Sequence, residues 1–362
     1  MTAPTSSQVQ TISQRLWRRR NDLPALQYHE ADIPVGLPVE LTEGIFLVRL
    51  PLPFALNHIN LYLIREAGGW TLIDTGINTQ TARDLWDSIF ESSFFTEHGP
   101  LTRIVVTHHH PDHIGMLGWI AQKFPEAPVY MTAGELEVAG RYSDPKRDVV
   151  AERTPLWIEH GIPAVVSTEL INHMPRYGTQ VGALPTGVRV LDTSTYLELG
   201  GQRWIPIIGR GHSPEHLSLL REDGQVLIGG DQVLPKITPN IAVWPGGDQN
   251  PLYSYLDTLR LFEGISASTL LLPSHKQPFN GVARRVEEIR AHHEERLSVV
   301  LNACDRPMTG YEFLPALFGR QLHNEQIGFG LGEAIAHLNY LESVSLLTSS
   351  VDDTGLRRFE RT

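Results

Sequence analysis

The chain has 362 residues, 41% hydrophobic and 20% charged, the composition of a globular protein with room for one large domain and a smaller one. Its formal net charge of −11 gives no global attraction toward nucleic acid or anionic membranes. Cys304 is the one cysteine, which excludes an intrachain disulfide and a thiolate metal cluster and leaves Cys304 as a small buried apolar residue. No apolar run of about eighteen residues occurs and the first residues hold no apolar signal core, so a cytoplasmic, reduced protein is expected.

Residues 1–36 open on a polar tail and a helix-like stretch at 12–21 that holds Trp17 and Arg18-Arg19-Arg20. Nearby Asp22, Glu30 and Asp32 offset those arginines, so the stretch reads as a surface arm and not as a nucleic-acid-binding one. From Gly44 the pattern turns to β-strand, at 45–48, 59–64 and 70–73, with Gly68-Gly69 as the hairpin turn between the last two. His58 has no ligand spacing and reads as a loop or rim residue. Asp74-Thr75-Gly76 ends the third strand and leads into a helix over 79–94, for which Asp74 offers a turn and N-cap.

The next apolar run, Ile104-Val105-Val106, reads as a short buried strand ending at Thr107. Four metal-ligating side chains follow, His108, His110, Asp112 and His113. Imidazole nitrogen and carboxylate oxygen suit zinc and the neighbouring first-row metals. Backbone alternation places His108 and His110 on one side of an extended chain, where both reach one metal. Pro111 stops the strand, and Asp112-His113 begin a helix displaced enough to serve a second metal. The complete T-H-x-H-x-D-H pattern of Thr107, His108, His110, Asp112 and His113 resembles the metallo-β-lactamase-fold hydrolases. That resemblance implies a further histidine, a bridging aspartate and a last histidine downstream, and makes Asp74 a residue that orients the site.

Beyond the motif the pattern gives a helix over 114–124 and a strand near Val129-Tyr130-Met131. Residues 134–185 form a long helical insertion, which in the resembled fold overhangs the site. Its Tyr142, Trp157 and Tyr177 serve equally as pocket or packing residues, and its His160 and His173 read as surface or packing residues. Strands resume at 188–191, 196–199 and 203–208, the last running into Gly211-His212-Ser213-Pro214-Glu215-His216. By resemblance His212 is the third ligand of the first metal and His216 stands behind the ligands, with Gly211 letting the backbone come close to the site. The strand at 226–228 ends at Gly229-Gly230-Asp231, and Asp231 matches the carboxylate that bridges two metals. Asp231 also argues against lactam hydrolysis, because the zinc β-lactamases of this fold carry cysteine or a non-bridging residue there. Leu270-Leu271-Leu272-Pro273-Ser274-His275 is another strand, followed by the match for the last ligand. Lys276 stands where many relatives have glycine, and reads equally as an anchor for a carboxylate or phosphate and as a solvent-facing charge.

After about residue 281 the character changes. Residues 284–301 form a charged amphipathic helix on which His292-His293 read as a solvated face. Thr309-Gly310-Tyr311-Glu312 has the form of a capping box, a longer helix follows over 324–347, and Asp353-Thr354-Gly355 turns a hairpin over 349–361. Helices followed by a hairpin resemble the small winged-helix-like appendage of some lactamase-fold hydrolases, endoribonuclease relatives among them. Nine arginines against twelve acids from 281 to 362 make it acidic, so it is expected to cap the site or to mediate assembly into a homo-oligomer.

The resemblance spans roughly residues 40–280 and implies an α/β (α+β) fold, the four-layer αβ/βα sandwich. Three parts follow: an N-terminal arm at 1–36, a catalytic domain at 37–280 and a winged-helix-like domain at 281–362. Two divalent metal ions are implied, zinc first with iron or manganese as alternatives. His108, His110 and His212 would hold one, Asp112, His113 and His275 the other, and Asp231 would bridge. Asp112 and Asp231 are the expected catalytic carboxylates. A hydroxide shared by the metals would attack a small ester, thioester or lactone, with a ribonuclease or other phosphodiesterase as the alternative. His110 stands where oxygen-reducing di-iron relatives carry glutamate, which argues against that chemistry, although the ligand types also suit a mononuclear iron dioxygenase acting on persulfides. The expected partner is a small-molecule substrate, with neither nucleic acid nor membrane expected.

Overall fold

The structure is a computed structural model and describes residues 22–29, 32–173 and 177–362. The arginine-bearing stretch at 12–21 lies outside the described residues, as do the side chains of His173 and Tyr177.

Among the described residues two seven-stranded sheets carry the fold. β1 (Gln27–Tyr28) pairs at the edge of the second sheet. The first sheet runs in sequence order through β2 (Val39–Thr42), β3 (Ile45–Pro51), β4 (His58–Glu66), β5 (Gly69–Ile73), β6 (Leu101–Val105), β7 (Val129–Met131) and β8 (Arg189–Val190). The second is built from β9 (Leu197–Leu199), β10 (Gln202–Gly209), β11 (His216–Arg221), β12 (Val226–Gly230), β13 (Leu270–Pro273) and β14 (Phe279–Asn280). Its order is β1-β14-β13-β12-β11-β10-β9.

Period-two patterning explains why both sheets are covered on both faces. On β3 and β4, Phe46, Val48, Leu50, Leu61 and Leu63 join one buried cluster, while Ile45, Leu47, Tyr62 and Ile64 join another. That other cluster also takes Trp204, Leu217, Leu219, Ile228 and Leu272, so it is the layer between the sheets. Leu227 and Leu271 point the opposite way, into a third cluster shared with the C-terminal helices. The expected four-layer sandwich is the result.

α1 (Gln80–Glu91) packs on the first sheet through Ala82, Trp86 and Ile89. Its cap is Thr79, whose hydroxyl accepts from the Ala82 amide, and not Asp74. The helix stops short of residue 94 because Ser92 turns extended, and a separate turn, α2 (Ser93–Thr96), follows. The motif helix is one turn, α3 (Pro111–Ile114), with Pro111 at its first position, and α4 (Leu117–Lys123) is distinct from it. The insertion supplies α5 (Ala133–Ser143), α6 (Val149–Glu159), α7 (Ala164–His173) and α8 (Tyr177–Gln180). Trp157 is buried core, which settles its role as packing.

α9 (Pro251–Thr258) and α10 (Val282–Ala303) cover the second sheet, followed by α11 (Leu314–Phe318), α12 (Asn324–Ser343), and the hairpin β15 (Leu347–Val351) and β16 (Arg357–Arg361). The Thr309–Glu312 capping box forms, on a 3-10 turn. The solvated reading of His293 is overturned. His293 is buried, with Tyr255 and His337 at ring-centroid distances of 5.8 and 5.6 Å. The physical reason is helical spacing: Val286, Ile289, His293, Leu297 and Val300 form one stripe, and α9 and α12 close over it. Cys304 is buried as expected. No described helix is long and apolar enough to cross a membrane.

Candidate metal centre

The C-terminal ends of β5, β6, β12 and β13 open onto one edge of the sandwich, because each neighbouring pair runs parallel. The sheets are fastened there by the Leu217 amide donating to the Thr107 carbonyl at 2.9 Å and the Tyr62 hydroxyl donating to the Pro273 carbonyl at 2.7 Å.

Asp74 is the hub of this edge. Its Oδ1 accepts from the Thr107 amide at 2.7 Å, and its Oδ2 accepts from the Thr107 hydroxyl at 2.7 Å and from His113 Nδ1 at 2.8 Å. Asp74 holds φ at +59°, a conformation that aspartate and asparagine tolerate better than most residues. Asp74→Asn keeps that backbone while weakening the charge-assisted bonds. It is expected to weaken metal affinity by about 10–100-fold, read by chelator competition; unchanged affinity would remove Asp74 from the orienting role.

These bonds fix which ring nitrogens are bare. The Thr107 proton goes to Asp74, so Thr107 Oγ1 accepts from His108 Nδ1 at 3.1 Å and leaves His108 Nε2 as a lone pair. His212 Nδ1 donates to the Asn240 carbonyl at 3.0 Å, which leaves its Nε2 bare as well. These two nitrogens lie 3.2 Å apart, and His110 Nδ1 lies 3.0 Å from His108 Nε2. Two bare nitrogens at that distance repel unless a cation sits between them.

The second group is arranged alike. The His113 Nδ1–H is taken by Asp74, and the His275 Nδ1–H is taken by the His58 carbonyl at 2.9 Å. His58 is therefore not a loop residue: it opens β4, and its backbone aims a site imidazole. His275 Nε2 lies 3.4 Å from Asp112 Oδ2 and 3.4 Å from Asp231 Oδ2, and His113 Nε2 lies 3.6 Å from Asp231 Oδ1. Asp231 Oδ2 also stands 3.6 Å from His212 Nε2, between the two groups.

The seven residues expected at the site thus converge, and three overlapping sets each bring their ligating atoms within 4.8 Å. The carboxylate contacts are too long for hydrogen bonds. They match the roughly 3.4 Å that separates two ligand atoms on one tetrahedral zinc. His113 Nε2, His275 Nε2 and Asp231 Oδ1 are buried without hydrogen-bond partners, the state of groups arranged for an ion. The residues fit a pair of divalent metals. Burial works against charge on the His275 ring, but Asp231 and Asp112 outweigh it and hold the ring up at about 10. Burial also opposes charge on His113, and Asp74, Asp231 and Asp112 likewise raise it. The acidic half of the site calls for positive charge.

His216 is not among the converging groups. Its Nε2 accepts from the Asp231 amide at 2.9 Å and so sets the backbone that presents Asp231. Burial lowers the ring to about 3, which keeps it a neutral acceptor. Gly211, at φ +90°, allows an approach to α9 and not to the site: an added Cβ would lie 2.3 Å from the Pro251 carbonyl oxygen. Lys276 holds φ at +69°, and its carbonyl accepts from Asn60 Nδ2 at 2.9 Å and from Arg49 at 3.3 Å.

Sequence reasoning missed Glu135. Fully buried at the start of α5, it accepts from the His109 amide at 3.0 Å and pairs with His109 Nδ1 at 2.6 Å. Its other oxygen accepts from the Glu215 amide at 2.8 Å, and Glu215 accepts in turn from the Gly134 amide at 2.7 Å. One helix start therefore fastens the loop of His108 and His110 to the loop of His212. No local motif could reveal this, since 26 positions separate Glu135 from His109.

Burial pushes the Glu135 carboxyl up, but His109 and the hydrogen bonds from His109 and the Glu215 amide outweigh it and bring it to about 2. A carboxyl lowered by folding adds stability above its ordinary value of 4.5, and that contribution is lost as pH falls toward 2. Glu135→Ala is expected to cost about 3–5 kcal/mol at neutral pH, measured by urea unfolding. An unchanged midpoint would show that the pair contributes nothing.

A convergent His/Asp set at one edge of this sandwich defines a class, the metal-dependent hydrolases. The sequence profile of the Metallo-beta-lactamase superfamily matches residues 56–275, and the chain belongs to that superfamily. A second profile, the Metallo-beta-lactamase-like C-terminal domain, matches residues 297–362. The chain is 24% identical over 314 residues to the probable metallo-hydrolase YqjP of Bacillus subtilis (strain 168), over 85% of this chain and 95% of that one. A beta-lactamase domain protein from Burkholderia ambifaria is 36% identical with a TM-score of 0.83, over 93% of this chain and 97% of that one. A metallo-beta-lactamase family protein from Thermus thermophilus is 28% identical with a TM-score of 0.75, over 89% of this chain and all of that one.

Proposed function

We propose that the protein hydrolyses a small ester, thioester or lactone with two divalent metal ions, zinc first. His108, His110 and His212 would hold one, Asp112, His113 and His275 the other, and Asp231 would serve both. The observation that carries this is the pair of bare nitrogens of His108 and His212 at 3.2 Å, with Asp231 standing between them and the second group. When bound, the ions supply an acidified water and polarise the substrate oxygen. The chain's own groups do the rest. His216 fixes the Asp231 backbone, and the hub at Asp74 takes the Thr107 hydroxyl proton and the His113 Nδ1–H, which turns the Nε2 atoms of His108 and His113 toward the site. Asp112, the more exposed of the two site carboxylates, and Asp231 would supply the negative charge that balances the ions.

A small acyl substrate is supported by the net charge of −11 and by the insertion beside the site, where the Tyr142 ring lies 5.5 Å from that of His109. A phosphodiester stands second, favoured by Arg141 and Arg147, whose guanidinium carbons lie 5.1 and 4.0 Å from the centre of that Tyr142 ring. Both guanidinium groups are engaged, Arg141 with the Pro245 and Gly246 carbonyls and Arg147 with Glu152, so the acyl reading is preferred. Initial rates on acyl-glutathione, acyl-CoA, lactones, aryl esters and single-stranded RNA test the choice, with metal-quantified protein and Asp231→Asn as the blank. Acyl turnover alone is expected. RNA cleavage alone would overturn it in favour of phosphodiester chemistry.

A further inference from the structure

Residues 231–250, which run from Asp231 past Asn240, contain neither helix nor strand. Structureless connections beyond about 12–15 residues are uncommon in compact domains and need anchors. This one must be held accurately, because the Asn240 carbonyl takes the His212 Nδ1–H and so decides which His212 nitrogen is bare. Its anchors come from the C-terminal helices. Arg285 on α10 is buried, and its Nε donates to the Leu234 carbonyl at 2.6 Å while its Nη2 donates to the Ile237 carbonyl at 3.0 Å. The Val243 amide donates to the Gly332 carbonyl on α12 at 3.0 Å, and an added Cβ on Gly332 would lie 2.9 Å from Ala242 Cβ. Asn240 is thus bracketed from both sides, by Arg285 upstream and Gly332 downstream.

We infer that Arg285 is a positioning residue for the three-histidine metal site, acting through the loop it clamps: its two carbonyl contacts set the Asn240 carbonyl, which sets the His212 ring. The inference rests on reading His108, His110 and His212 as the ligands of one ion. The planar guanidinium suits the task, since its donors are fixed in a fork and reach two carbonyls at once, whereas a lysine ammonium is a point donor on a flexible stem. The effect is specific to the first site. His113 and His275 take their orientation from Asp74 and the His58 carbonyl, which Arg285 does not touch.

The test is cobalt binding by the full chain, followed by visible absorption and by chelator competition, in wild type, Arg285→Met, Arg285→Lys and Arg357→Ala. Arg357 ties the terminal hairpin to Glu159, away from the loop, and serves as a control for general damage to the C-terminal helices. Arg285→Met is expected to lose about tenfold or more in affinity at one of two sites, with the other site and its spectrum unchanged. Arg285→Lys is expected to lose less, and Arg357→Ala nothing. A role in stability alone would lower the melting temperature of Arg285→Met without separating the two affinities, and that result would overturn the inference. If Arg285→Met does not fold, Arg285→Lys decides: two wild-type affinities there would equally overturn it. A wild-type protein that binds no cobalt would instead overturn the underlying metal assignment.

Discussion

Asp231→Asn is expected to take hydrolysis down to the metal-free baseline while leaving the chain folded. The substitution keeps the shape of the side chain, and the Asp231 amide can still donate to His216 Nε2. What it removes is negative charge at the one point that faces His212 on one side and His113 and His275 on the other. Burial alone would push the Asp231 carboxyl up, yet His275 and His113 hold it well below the usual carboxylate range, so the position is built for an anion. A neutral amide cannot neutralise two cations, and the loss should exceed the roughly 10–100-fold expected for an outer partner such as Asp74. Elemental analysis should show metal content falling from two ions per chain to one or fewer, with an unchanged circular dichroism spectrum. Near-wild-type turnover with two metals bound would sink the dinuclear assignment.

Why the ligands were legible in the sequence and their supports were not is a matter of distance along the chain. His108, His110, Asp112 and His113 sit within one strand end and one helical turn, so local spacing alone brings them together. His212, Asp231 and His275 each follow an apolar strand that alternates between two cores, and that period is readable without any long-range contact. The groups that aim these rings leave no such trace. The carbonyls of His58 and Asn240 carry no residue-type signature, since any amino acid supplies one. Glu135 and Arg285 do their work across long sequence separations, and in the sequence they look like ordinary charges on amphipathic helices. His293 was different: its place in the stripe of Val286, Ile289, Leu297 and Val300 was readable, and the charged residues around it hid it.

Ending the chain after residue 281 is expected to abolish folding, and not merely to uncover the site. If the C-terminal helices only capped the metal edge, the two sheets would stand without them. Instead one continuous buried cluster takes Leu227, Leu252, Leu271 and Phe279 together with Val286, Ile289, Leu297, Phe313, Leu317, Leu331, Ile335, Leu338, Leu341, Leu347 and Phe359. The helices are the outer layer of the second sheet, so removing them turns a sheet face that is apolar by sequence toward water. Each buried side chain of this kind contributes roughly 1.5–3 kcal/mol, so the eleven lost from the deleted part, roughly 16–33 kcal/mol of burial, exceed the roughly 5–15 kcal/mol that a whole domain has in hand. The clamp on residues 231–250 would go with them, since Arg285 and Gly332 both lie in the deleted part. The truncated chain should be recovered only from the insoluble fraction, or else melt without a cooperative transition. A soluble, cooperatively melting truncation with ester hydrolysis intact would show that the second sheet keeps its fold without that layer and that the helices are dispensable for His212.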